Sequence, residues 1–122
     1  MRRMPLVRRR SEAFEVVKAV GLSLPGVDAA TKYDGSPVLR VCGVFMAGLA
    51  AHASAEPDSI VVRSTFEDRQ WLLDDAPETY YVTDYYRKHP VVLARLARLD
   101  RDALRDLLAV SRRLTLAKTR RG

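Results

Sequence analysis

An α+β domain follows from three observations on this chain. An apolar stripe at helical spacing lies near each end, short β-prone segments separated by turn residues fill the middle, and their connections are too short for a helical crossover. The strands are therefore expected to be antiparallel: a meander of four, then two more. That gives a sheet of about five to six strands with an N-terminal helix, a short middle helix and a long C-terminal helix.

Ser11 is placed as an N-cap, with Glu12 and Glu15 in the first turn where the positive end of the helix dipole favours carboxylates. Phe14, Val17, Val20 and the small Gly21 form one face, and LeuProGlyVal at 24–27 ends a helix over 11–22. AspGlySer at 34–36 marks a hairpin between AlaThrLysTyr and ProValLeuArgValCys, and Cys42–Gly43 marks a second turn. The next strand is ValPheMetAlaGlyLeuAla, and a loop over 52–59 leads into IleValValArgSer.

Ser64 with Glu67 has capping-box form and opens a short helix near 65–74, stopped by AspAspAlaPro. ThrTyrTyrValThr at 79–83 and the segment 90–97 read as two further strands, the second with Pro90 first, where the missing N–H matters least, and with a sheet edge as one place open to it. Leu104, Leu107, Leu108, Ser111 and Leu114 recur at helical spacing behind Asp100 and Asp102, predicting a helix over 100–116.

With 122 residues, 48% hydrophobic and 30% charged, the chain has the composition of one globular domain. One cysteine cannot build an intramolecular disulfide framework, and no run approaches the roughly 18 apolar residues of a membrane span. These features predict a soluble, cytoplasmic protein without membrane contact. A sequence pI near 9.9 hides an uneven distribution. Residues 1–10 and 112–122 together carry +10 and no acidic side chain, whereas 11–111 carries −4. The expected organisation is a basic tail over 1–10, one domain over 11–116 and a second basic tail over 117–122.

The ordered pieces LeuProGlyVal at 24–27, TyrAspGlySerProValLeuArgVal at 33–41, GlyValPheMetAlaGlyLeu at 43–49, TyrTyrValThrAspTyrTyr at 80–86, ProValValLeuAlaArgLeu at 90–96 and LeuArgAspLeuLeu at 104–108 resemble the MmcQ/YjbR family of small bacterial proteins. The resemblance covers about residues 11–116. It implies a CyaY-like, "double wing" architecture and a DNA-binding role, the latter by fold analogy. Two positions depart from the pattern: Val44 stands where relatives often carry lysine, and Val91 where they often carry an aromatic residue.

Phosphate contact requires cations without nearby anions. The candidates are Arg2, Arg3, Arg8, Arg9 and Arg10 at one end and Arg112, Arg113, Lys118, Arg120 and Arg121 at the other, with Lys32, Arg40, Arg63, Arg87 and Lys88 on the hairpins and the tyrosine segment. Arginine clusters without interleaved aromatics suggest sequence-tolerant contact. Arg95, Arg98, Arg101 and Arg105 interleave with Asp100, Asp102 and Asp106, which predicts local ion pairing instead. Tyr81, Tyr85, Tyr86 and His89 are candidates for base stacking or for lining a groove, and alternation along a strand allows only one of Tyr80 and Tyr81 to face solvent.

No catalytic constellation is present. His52 and His89 are the only histidines and lack metal spacing, Cys42 in its apolar surroundings reads as a buried inert thiol, and no phosphate loop or nucleophile elbow occurs. Lys18 follows Glu12 and Glu15 on the first helix, so no carboxylate ridge for iron forms there. The expectation is a non-enzymatic, low-specificity DNA-binding protein without metal or cofactor, with homodimerisation through the 90–97 edge open to it. The alternative is a module for a protein or small ligand, with a groove lined by the tyrosine segment and the Trp71 region.

Overall fold

A computed structural model describes residues 10–121, with side chains from 13 to 119. Arg2, Arg3, Arg8 and Arg9 lie outside the described residues, as do the side chains of Arg10, Arg120 and Arg121. The elements are α1 (Arg10–Leu22), β1 (Val27–Thr31), β2 (Pro37–Val41), β3 (Val44–Leu49), β4 (Ser59–Arg63), α2 (Phe66–Asp75), β5 (Tyr80–Tyr81), α3 (Asp84–Arg87), β6 (Val91–Arg95), one 3₁₀ turn (Leu96–Arg98) and α4 (Arg101–Arg121). The six strands form one antiparallel sheet in the order β1-β2-β3-β4-β6-β5. The expected α+β class, four-strand meander and three main helices are all present.

The sheet is covered unequally. On one face Leu39, Val41, Met46, Ile60, Val62, Val92 and Ala94 pack against Phe14, Val17 and Val20 of α1 and Leu104 and Leu108 of α4. On the other, a smaller cluster joins Val61, Leu93 and Val91 to Tyr86 of α3 and to Ala50 and Ala55 of the 50–58 loop. Alternation along each strand divides the faces, and it sends Tyr80 to the first cluster and Tyr81 to the second.

Segment 90–97 is not an edge. β6 lies between β4 and β5, and Val91 to Ala94 are all buried, as an interior strand covered on both faces requires. Beyond its two pairings with β5, the outer side of β6 meets Arg69 of α2. That guanidinium donates to the carbonyls of His89 at 2.9 Å, Val91 at 3.1 Å and Arg87 at 3.0 Å, giving Val91 the partner a longer β5 would have supplied and tying the end of α3 and the following turn to α2.

Other expectations shift by local chemistry. Ser11 falls inside α1, which starts at Arg10, so it is not the N-cap. The first hairpin closes at Thr31 opposite Pro37, and Lys32 and Tyr33 belong to its loop rather than to a strand. Ser64 still donates its N–H to the Pro90 carbonyl at 2.8 Å, so α2 is capped one residue later, by Thr65 accepting from the Asp68 N–H at 2.9 Å. Cys42, at φ 52, and Gly43, at φ 72, form the two-residue turn between paired Val41 and Val44, and the thiol is exposed rather than buried. Tyr85 and Tyr86 are β-prone by type yet sit in α3, because burial of Tyr86 on the sheet outweighs propensity.

α4 runs through the expected C-terminal tail to Arg121, with Thr115 fully buried and Leu116 packed on the core. The predicted pairing of Arg98, Arg101 and Arg105 with Asp100, Asp102 and Asp106 is not made. Arg95 instead forms a two-pronged bridge to Glu56 at 2.8 and 2.7 Å, while the Asp100 carboxylate accepts the Ala103 N–H at 2.8 Å. Among the described residues no helix is long and apolar enough to cross a membrane.

Candidate functional site

The incompletely covered sheet face leaves a groove of about 510 Å³ between the β1–β2 loop on one side and α3 on the other. Phe45, Val61 and Val91 contribute apolar lining. Lys32, Tyr33 and Asp34 come from the loop, His52 from the segment after β3, Tyr85 and Tyr86 from α3, His89 and Pro90 from the turn after it, and Arg63 from the end of β4. Arg63 pairs in register with Val91 across β4 and β6, and strand alternation puts Val61 on the same face, so two positions of one strand supply both apolar lining and a cation.

Arg63 is the chemically distinctive member. Its Nε donates to the Phe45 carbonyl at 3.0 Å, its guanidinium carbon lies 6.0 Å from the Phe45 ring centroid, and burial pushes its pKa below the usual arginine value. Among the described residues no carboxylate lies within ion-pairing distance of it. A partly desolvated guanidinium with free Nη donors favours an incoming anion. The one lining carboxylate, Asp34, is engaged locally: its Oδ1 accepts from the Ser36 hydroxyl at 2.7 Å and the Ser36 N–H at 2.9 Å, bonds that lower its pKa and keep it charged.

The opposite wall is aromatic. The His52 ring stacks on Tyr85 with centroids 3.5 Å apart and planes within 10°, and Tyr86 meets both edge-on. His52 Nδ1 accepts the Ser54 N–H at 3.0 Å, which places its proton on Nε2, and Ser54 Oγ bonds Thr83 Oγ1 at 2.8 Å, tying the 50–58 loop to the start of α3. Tyr85 stays half exposed, and Tyr33 is fully exposed with no hydrogen bond or ring contact of its side chain.

This arrangement redistributes the predicted site. Lys32 and Arg63 come together in the groove, and Arg87 and Lys88 lie beside its wall at the end of α3, where Arg87 pairs with Asp84 at 3.3 Å. Arg40 is half-buried on β2 opposite Asp28 and does not line the groove. Arg112, Arg113 and Lys118 belong to α4 in the helical layer on the other side of the sheet, and Arg112 is occupied by the Pro25 carbonyl at 2.6 Å. Among the described residues the predicted cations therefore fall on both sides of the sheet.

Of the tyrosine candidates, Tyr85, Tyr86 and His89 line the groove, but Tyr81 does not. Its hydroxyl accepts the Glu56 N–H at 2.8 Å and bonds Ser59 Oγ at 2.6 Å, while the Arg95 guanidinium lies 4.3 Å from its ring centroid. It is a structural pillar. Tyr33, Phe45 and His52 also line the groove without being among the residues the sequence singles out for it. The only sequence signal for Tyr33 was an aromatic residue directly before a turn.

The Trp71 region lines a separate groove of about 370 Å³ between α2 and α4, so the single groove expected from the tyrosines and Trp71 is in fact two. Among the described residues no group of three or more His, Cys, Asp or Glu side chains could hold a metal ion. Compared with protein-family models, curated proteins and solved structures, the chain matches none of them.

Proposed function

We propose that this chain is a non-enzymatic nucleic-acid-binding domain of the MmcQ/YjbR type, and that it grips an unpaired strand in the groove on the open sheet face. The observation that carries this reading is the Arg63 guanidinium, which among the described residues has no carboxylate within ion-pairing distance and borders a groove also lined by the exposed rings of Tyr33 and Tyr85. Single strands are bound by cations that follow the phosphates and aromatic faces that stack the bases. Arg63 and Lys32 supply the first element, and Tyr33 and Tyr85 the second. Stacking on Tyr33 and Tyr85 accepts the face of any base, which supports sequence-tolerant contact.

The arginine-rich ends add an attraction that strengthens as salt falls, and DNA is the nucleic acid the family resemblance suggests. A duplex lacks accessible base faces, so the groove favours single strands over double. Backbone amide NMR on the full chain, titrated with a short oligothymidylate, tests the placement. Shifts centred on residues 32–34, 45, 63, 85 and 89 are expected. Shifts confined to the chain ends would refute the groove as the site.

A further inference from the structure

The second groove has the opposite character. Its lining combines the apolar surfaces of Trp71, Leu72, Leu107 and Val110 with the carboxylates of Asp68 on α2 and Asp106 on α4. Among the described residues neither carboxylate has a cation within ion-pairing distance. Arg63, which also borders this groove, turns its guanidinium to Phe45 and the other sheet face. Trp71 leaves 65% of its surface in solvent, and α2 has no buried residue at all. A tryptophan spread on a surface helix beside two unpaired carboxylates is matched to a cation carried on apolar chain.

We infer that the α2–α4 groove docks an arginine-bearing apolar peptide segment of a protein partner. A guanidinium laid on the indole face gains cation–π attraction while its N–H groups reach a carboxylate, a combination better suited to planar arginine than to lysine. The two carboxylates repel a phosphate backbone, so this groove and the sheet-face groove select opposite partners, and the inference stands whether or not nucleic acid binds the other side. The groove is an open trough between two helices, a shape that receives side chains projecting from an extended or helical peptide.

Trp71 is the only tryptophan in the chain, so its fluorescence reports this groove alone. The probe is an acetylated, amidated hexapeptide of alternating arginine and leucine, titrated into the full chain, with a glutamate–leucine peptide as control. A saturable change in Trp71 emission is expected with the arginine peptide only. The Asp68→Asn/Asp106→Asn variant, its fold checked by circular dichroism, is expected to bind about fivefold more weakly, the loss appropriate to two solvent-edge ion pairs.

No response to the arginine peptide, or an equal response in the double variant, would overturn the inference. So would quenching by an oligothymidylate, which would give the groove to nucleic acid. A response gained only after deletion of residues 1–9 would replace the external partner with the chain's own arginines.

Discussion

The Ser111 hydroxyl of α4 donates to the Met46 carbonyl at 2.7 Å, at the point where β3 carries one residue more than β2. Leu39 pairs with Ala47 and Arg40 with Phe45, so Met46 is the extra residue and the regular ladder between these strands is interrupted there. Ser111 is fully buried, which makes it the available donor. Ser111→Ala strands a buried carbonyl and is expected to lower stability by about 1–3 kcal/mol. Urea denaturation should show a lower midpoint with an unchanged slope.

Arg69 holds three carbonyls beside the short β5 pairing. Both Arg69→Ala and Arg69→Lys are expected to cost about 1.5–3 kcal/mol, because an ammonium cannot reproduce the planar fork that spans Arg87, His89 and Val91. Thermal unfolding checks the magnitude. Hydrogen exchange should speed up first in residues 87–93, and a lysine variant as stable as the wild type would contradict the role given to the fork.

The Glu56–Arg95 bridge gives the stability a pH dependence. The hydrogen bond from Arg95 holds the Glu56 carboxyl below its ordinary pKa, so the native state binds this proton less readily than the unfolded chain. Its contribution is therefore present above the unfolded pKa and fades as pH falls through the lower folded value. Glu56 is half exposed, so solvent screening limits the gain to less than about 1 kcal/mol. Glu56→Gln should be less stable than the wild type near neutral pH, and the difference should vanish in acid. Urea midpoints on either side of the carboxylate range measure it.

Cys42 occupies the first position of a turn that needs positive φ at both central residues. Asparagine tolerates that conformation better than cysteine, so Cys42→Asn is expected to add about 0.5–1 kcal/mol. The exposed native thiol should also react with an aromatic disulfide reagent without denaturant. A thiol that reacts only after unfolding would contradict its placement at the turn tip.

These residues also show what could be read in the sequence. The Cys42–Gly43 turn, the meander and α4 followed from local signals: a turn dipeptide, short connections and apolar spacing across 104–114. The position of β6 did not, because strand order past the meander is set by which strands are buried on both faces. α3 was hidden because four residues carry no periodicity and tyrosines favour strands. The groove was harder still. Lys32 and Arg63 are visible in the sequence as cations, but their meeting depends on the folded sheet, and Tyr33 reaches the groove because the hairpin ladder ends at Thr31.

The most direct test of the central claim is fluorescence anisotropy of a labelled oligothymidylate with the full chain and its Tyr33→Ala variant, at about 150 mM salt where the ends contribute less. The Tyr33 side chain is fully exposed and makes no hydrogen bond or ring contact, so its removal leaves the fold intact. Loss of one stacking platform should weaken binding by about 1–3 kcal/mol, with the salt dependence unchanged because no cation is removed. Equal affinity for the two proteins would contradict the groove as the binding site and return the interaction to the arginine-rich ends.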